Sequence, residues 1–80
     1  MNDDKWRTTI YVPYVETWKI LKLIQYADNT TNSDEQWQRY MSEIERLDKQ
    51  YPGNKFVEKL QRLLYDAGDV IAKVNKNEAM

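Results

Sequence analysis

Two carboxylates near the C-terminus are the residues of this chain best spaced for chemistry. Asp66 and Asp69 are three residues apart, so on a helix both could face one side and approach a divalent cation. Hard cations normally need several further oxygen ligands, and Arg62 and Lys73 each lie four residues from one of the two carboxylates. Ion pairs within the helix therefore explain Asp66 and Asp69 without a metal, and we expect no metal site and no cofactor.

The sequence has few residues that could support other kinds of catalysis. The sequence has no His and no Cys, which removes the commonest general base and the thiol nucleophile. Gly53 and Gly68 are the two glycines, too few for a glycine-rich phosphate loop. The formal charge of -1 is spread along the chain instead of forming a basic stripe, and this distribution argues against nucleic-acid binding. We expect a protein that is not an enzyme.

Aromatic and basic residues near the N-terminus form a candidate ligand site. Trp6 and Tyr11 could stack on a planar molecule, while Arg7 and Lys22 could neutralise its negative charge. A pocket between helices or subunits that sequesters a small anionic, nucleotide-like ligand is therefore one functional hypothesis. Packing of the aromatic rings within the fold is the simpler interpretation.

The second half of the chain predicts a helical hairpin, with helices over about 34–51 and 55–75. Ser33 and Gln36 fit a capping box at the first of these helices, and the residues 51–54 form a Pro-Gly turn with Asn54 as the next N-cap. Gly68 would allow close approach of another backbone, such as that of the first helix. The apolar stripes are Trp37, Tyr40, Met41, Ile44, Leu47 and Tyr51 on the first, and Phe56, Val57, Leu60, Leu63, Leu64, Ala67, Ile71 and Val74 on the second, with Val70 at its edge.

The first half predicts an extended arm and one more helix. Residues 5–12 are rich in β-branched and aromatic side chains and precede Pro13, which favours an extended Val12, so we expect an arm or short strand there. A helix should follow over about 13–28. Its expected core face is Tyr14, Trp18, Leu21 and Ile24, flanked by Ile20 and Ala27.

These elements predict an all-α protein, a three-helix antiparallel bundle preceded by the arm. We expect a single domain over residues 1–80, in which 1–12 is the arm and 76–80 is a frayed tail. No basic segment followed by an apolar one begins the sequence, and apolar runs are short. The expected location is therefore the cytoplasm, without membrane contact.

The first predicted helix has more apolar surface than a three-helix core requires. A second row contains Val15, Lys19, Lys22, Leu23 and Tyr26, and Tyr65 is an aromatic among charges on the last helix. We expect these residues to form the surface of a non-catalytic interaction module that binds a protein partner, a second copy of itself as a homodimer, or both. In size and aromatic content the chain resembles, in general style, accessory proteins of phages of Gram-positive bacteria, some of which inhibit host enzymes. That resemblance implies an accessory protein or inhibitor acting on a host protein.

Overall fold

A helix begins almost at the N-terminus, where the sequence predicts an extended arm. The computed structural model describes residues 1–28 and 30–78. The chain opens with α1 (Asp3–Trp6), continues through a π-helical segment (Arg7–Tyr11), and enters α2 (Val12–Lys22) with right-handed helical backbone at both junctions. We refer to these three segments together as the N-terminal helix. The predicted arm or strand over 5–12 is therefore wrong, because these residues are helical.

The N-terminal helix tolerates Pro13 because its backbone is rearranged around the ring. A proline inside a helix has no N–H for the carbonyl four residues earlier and its ring crowds that carbonyl. The π turn carries the chain to the proline with a wider hydrogen bond, from the Val12 N–H to the Arg7 carbonyl. The carbonyl left without its helical donor is that of Thr9, and the Asn54 side chain donates to it at 2.9 Å. A side chain distant in sequence thus replaces the missing N–H.

The N-terminal helix is capped by Asn2 at its start, and tight turns follow its last residue, Lys22. The Asn2 side chain accepts from the Lys5 N–H at 2.8 Å, and Asp3 and Asp4 lie in the favourable first turn. The α-helix ends at Lys22, earlier than the predicted residue 28. Tight turns follow, such as the hydrogen bond from the Ala27 N–H to the Ile24 carbonyl at 3.1 Å.

The hairpin matches its prediction closely. A short 3₁₀ turn (Thr31–Ser33) leads into α3 (Asp34–Gln50), and α4 spans Lys55–Glu78. Gly53 has a φ of 74°, and Asn54 caps α4 by accepting from the Val57 N–H at 3.1 Å. The helix therefore includes residues 76–78 of the predicted frayed tail, whereas Ala79 and Met80 lie outside the described residues.

The three long helices pack in an up-down-up arrangement, which confirms the all-α prediction. Asn54 joins the start of α4 to the N-terminal helix, while at the other end the Asn75 side chain donates to the Gln25 carbonyl at 3.1 Å. The N-terminal helix and α4 therefore run parallel to each other, and α3 is antiparallel to both. The part of the chain that the structure describes contains no strand. The buried core comprises Ile20, Ile24, Ala27, Tyr40, Ile44, Leu47, Val57 and Leu64.

Aromatic rings of α3 fill the space beside Gly68. A Cβ added at Gly68 would lie 3.4 Å from Trp37 Cζ3 and 3.5 Å from Tyr40 Cε2. Gly68 therefore allows close approach of these two rings. The prediction that it allows close approach of the first helix is wrong. The two rings meet edge to face at 5.9 Å. The Tyr40 hydroxyl donates to the Leu64 carbonyl, and burial raises the pKa of Tyr40 to about 12.

The molecule is elongated because the N-terminal helix projects beyond the bundle. Its extents are 49 × 20 × 15 Å and its radius of gyration is 14.1 Å, against roughly 12 Å for a compact domain of this length. All residues from Met1 to Thr8 are exposed. The projecting end therefore lies past the turn that joins α3 to α4.

Candidate functional site

An apolar face runs along the side of the bundle where α2 and α4 lie together. We call it the α2–α4 face and define it by Tyr14, Trp18 and Leu21 of α2 and Leu63, Ala67, Val70, Ile71 and Val74 of α4. Trp18 is 56% exposed and Val70 is 62% exposed. A groove of about 440 Å³ lies between Trp18 and Leu21 on one helix and Val70 and Val74 on the other. Both helices contribute exposed apolar side chains to the face.

The α4 side of this face arises because α4 carries a wider apolar arc than two neighbouring helices can cover. Gly68 and Gln61 face α3, where Gln61 donates to the Ile44 carbonyl at 2.9 Å. Leu63, Val70 and Val74 lie on the opposite side by helical spacing and are exposed. The prediction that Leu63 and Val74 belong to the core is therefore wrong.

The α2 side arises because smaller residues occupy the core face. Pro13, Thr17 and Ile20 are buried, whereas Tyr14 and Trp18, which were expected in the core, are more than half exposed. Thr17 can be buried because its hydroxyl donates to the Pro13 carbonyl at 2.9 Å. Because the hydroxyl of Thr17 is hydrogen-bonded, this small residue can occupy the core face, and the rings of Tyr14 and Trp18 point outward.

Basic side chains border the α2–α4 face. Lys22 Nζ lies 4.6 Å from the centroid of the Trp18 ring, a cation–π contact that holds the ammonium at the edge of the groove. A second groove of about 460 Å³ continues the apolar surface across α4 and is bordered by Lys59, Arg62 and Asp66. The α2–α4 face therefore has an apolar centre and a predominantly basic border.

The predicted interaction row is only partly assembled. Lys19, Lys22, Tyr26 and Tyr65 are exposed, and Tyr26 reaches 85%. Val15 is half-buried. Leu23 packs against the core instead of facing outward. Of this row, Lys22 lines the groove of the α2–α4 face.

The sequence interpretation missed the α4 half of the surface. Its signal was present in the spacing of Leu63, Val70 and Val74, which widens the apolar arc of α4 beyond the stripe centred on Leu64. Tyr65 lies on another side of α4, in a cleft with Trp37. The prediction placed the excess apolar surface on the first helix alone, whereas α2 and α4 share it.

The residues proposed for an anionic ligand do not converge. Trp6, Arg7 and Tyr11 are exposed along the first turns of the N-terminal helix, while Lys22 contacts Trp18 near its other end. At 1.5 Å per residue, Lys22 lies roughly 16 Å along the axis from Tyr11. These four side chains cannot enclose one small ligand within a single chain.

A smaller cleft of about 300 Å³ lies between α3, α4 and the loop before α3. Asp28, Asp34, Trp37, Tyr65 and Asp69 are among its lining residues. The Trp37 indole donates to the Asp28 carbonyl at 2.6 Å. Hydrogen bonds from the Thr30 side chain and backbone, with a weaker one from Ser33, lower the pKa of Asp28. Because Ser33 bonds Asp28 in this way, its side chain does not cap α3, contrary to the predicted capping box.

The two carboxylates of α4 lie in different surroundings. Asp69 lines the smaller cleft, whereas Asp66 lines the outer groove on α4. Within residues 1–28 and 30–78, no group of three potential ligands could hold a metal ion. The ion pairs found among these residues are Lys19–Glu16, Arg46–Glu43 and Lys55–Glu58, so the predicted pairs of Asp66 and Asp69 are not formed.

No protein-family model, no curated protein and no solved structure matches this chain. Among the described residues, no helix has the length and apolar character needed to span a bilayer.

Proposed function

We propose that this protein is a non-catalytic interaction module that self-associates through the α2–α4 face. The observation that carries the proposal is the joint exposure of Tyr14, Trp18, Leu63, Val70 and Val74 on adjacent helices. Their exposed portions amount to roughly 500 Å² of apolar surface, which is at the upper end for a monomer and typical of an interaction site. Such a surface gains free energy when a second apolar surface removes it from water.

The available area favours a second copy of the chain as the occupant. A standard interface buries roughly 800 Å² on each partner. The roughly 500 Å² of exposed apolar surface on the α2–α4 face is more than half of that area, and its polar border forms a rim around it. A small domain also gains stability from oligomerisation, and symmetric homo-oligomers are the commonest assemblies.

The electrostatics support a non-catalytic role. Among the described residues, the groups with clearly shifted pKa values are Asp28, Tyr40 and Tyr51. Hydrogen bonds from Thr30 lower the pKa of Asp28, and burial raises the pKa of both tyrosines, for Tyr51 with a contribution from Glu16. Asp28 and Tyr40 both line the smaller cleft, but each already has a hydrogen-bond partner within the fold: Thr30 and Ser33 donate to Asp28, and the Tyr40 hydroxyl donates to the Leu64 carbonyl. Each shift therefore has a structural cause.

Light scattering across protein concentration tests the proposal. The expected mass rises from 9.7 kDa toward twice that value as the concentration increases. Val70→Glu places a charge in the centre of the face and should weaken dimerisation at least about tenfold. Because Val70 is exposed in the single chain, circular dichroism of Val70→Glu should show an unchanged helical fold.

Ser42→Glu is the matched control, since Ser42 is exposed on α3, away from the face. It should dimerise like the unmodified chain. A strictly monomeric protein at high micromolar concentration would refute self-association, as would a Val70→Glu variant that dimerises normally.

A further inference from the structure

The start of the N-terminal helix is held to the rest of the bundle by few contacts. α1 has no buried residue, and in the π-helical segment Thr9 and Ile10 are half-buried while the other residues are exposed. Among the described residues, the hydrogen bond found between this part of the chain and the residues after α2 is that from the Asn54 side chain to the Thr9 carbonyl. We call α1 and the π-helical segment together (Asp3–Tyr11) the hinged segment.

Pro13 weakens the connection between the hinged segment and α2. Backbone hydrogen bonds normally join each turn of a helix to the next, but Pro13 has no N–H to donate to the turn before it. The N–H of Val12, the residue before the proline, donates to the Arg7 carbonyl in the wider π turn. The ladder of helical hydrogen bonds is therefore interrupted here, and prolines and π turns are the places where helices bend.

The hinged segment has little helical stability of its own. It is shorter than the roughly 12–15 residues below which an isolated helix is marginal in water, and the β-branched Thr8, Thr9 and Ile10 have a lower helix propensity than straight-chain residues. Capping by Asn2 stabilises the first turn, but the burial of apolar side chains that stabilises most helices in proteins is nearly absent. The hinged segment therefore depends on its hydrogen bond from Asn54 to stay docked.

We propose that the hinged segment opens independently of the bundle, with Asn54 as its latch and the π turn before Pro13 as its hinge. In the open state the hydrogen bond from Asn54 to Thr9 is broken and residues 3–11 are no longer helical, while Pro13 and Thr17 stay buried. Opening exposes little apolar surface, because Ile10 is the half-buried apolar residue of the segment. The inference is independent of self-association, which uses α2 and α4.

Two such states make the hinged segment a conformational switch. Any molecule that binds the docked and the open state with different affinity shifts their populations by that difference. The latch belongs to the turn between α3 and α4, so a contact at that turn also acts on the N-terminus. Order in the first residues of the chain is thus coupled to a turn that is distant in sequence.

Amide hydrogen exchange of the full chain, followed by NMR, tests independent opening. The amide hydrogens of residues 7–12 should share one protection factor, at least about tenfold below that of residues 18–22 in α2, with a step at Pro13. The measurement is repeated in Val70→Glu, so that self-association does not contribute to the protection. A protection that rises gradually from residue 7 through α2, without a step at Pro13, would indicate ordinary fraying of a helix end and overturn the hinge.

Two variants separate the latch from the bundle. Asn54→Asp keeps the N-cap acceptor and removes the donor to Thr9, so it should lower the protection of the hinged segment roughly fivefold; unchanged protection would overturn the role of Asn54. Ile44→Val is the matched control, because Ile44 is fully buried in the core. It should speed exchange of the slowest amide hydrogens of α3 and α4 roughly fivefold and leave the rates of the hinged segment unchanged. Faster exchange of the segment in Ile44→Val would mean that it opens only with the bundle.

Limited digestion with trypsin gives a second readout on the same helix. Lys5 and Arg7 lie in the hinged segment, and Lys19 and Lys22, which are also exposed, lie beyond Pro13 as matched sites. Because cleavage requires a locally unfolded chain, mass spectrometry should show cuts after Lys5 or Arg7 at least about tenfold faster than cuts after Lys19 or Lys22. Equal rates on both sides of Pro13 would contradict independent opening.

Discussion

The hydrogen bond from Asn54 to the Thr9 carbonyl should stabilise the fold only because Pro13 is present. Asn54 performs two tasks, since Oδ1 caps α4 by accepting from the Val57 N–H and Nδ2 donates to Thr9 at 2.9 Å. Asn54→Asp retains a good N-cap acceptor but removes the donor to Thr9. The expected loss of stability is about 1 kcal/mol for the hydrogen bond, and somewhat more because the carboxylate faces the carbonyl oxygen.

A double-mutant cycle with Pro13→Ala isolates this coupling. Alanine at position 13 restores the N–H that the Thr9 carbonyl lacks within the helix. In that background, Asn54→Asp should cost less than half of what it costs in the unmodified chain, and the effect of the Pro13 cavity cancels in the cycle.

Urea denaturation followed by circular dichroism at one fixed protein concentration measures all four free energies of unfolding. A loss of about 1 kcal/mol also lowers the melting temperature by roughly 4–8 °C in a domain of this size. Equal costs of Asn54→Asp with and without Pro13 would refute the reasoning.

The remaining predictions concern Tyr40 and Gly68, which lie in contact between α3 and α4. Above pH 10 the free energy of unfolding should fall, because Tyr40 ionises near 10 in the unfolded chain and only at about 12 in the folded chain. Tyr40 should contribute at most roughly 1.4 kcal/mol per pH unit across that window. Urea titrations of Tyr40→Phe should lack this contribution and retain the fall due to Tyr51, whose pKa is also raised by burial. At neutral pH Tyr40→Phe should itself cost about 1 kcal/mol, because its hydroxyl bonds the Leu64 carbonyl. Gly68→Ala should raise the melting temperature, since helix propensity contributes up to about 1 kcal/mol and the added methyl meets Trp37 at 3.4 Å. Gly68→Leu should lower it by overpacking against the same rings, and a stabilised Gly68→Leu would contradict this geometry.

The hairpin could be predicted from sequence because its signals are local and agree with one another. The apolar stripe of α3 has a single helical period, and Gly53 and Asn54 mark the turn and the next N-cap. Each of these signals acts over a few residues. The bounds of α3 and α4 were consequently close to those predicted.

The N-terminal helix could not be predicted in the same way. Pro13 and the preceding β-branched residues locally favour an extended chain, and the donor that offsets the proline belongs to Asn54, far along the sequence. The orientation of α2 was equally inaccessible, because buried Thr17 depends on its bond to the Pro13 carbonyl. Without that bond, the aromatic residues Tyr14 and Trp18 are the natural choice for the core.

The same bond between Asn54 and Thr9 has a consequence for the order in which the chain folds. Contacts between α3 and α4, such as that of Gln61 with the Ile44 carbonyl, close short loops, whereas those of Asn54 with Thr9 and Asn75 with Gln25 close much longer ones. Loop closure costs more entropy as the loop lengthens. The hairpin should therefore form first and receive the N-terminal helix last. On partial unfolding, amide hydrogens of residues 3–22 should exchange with solvent before those of α3 and α4.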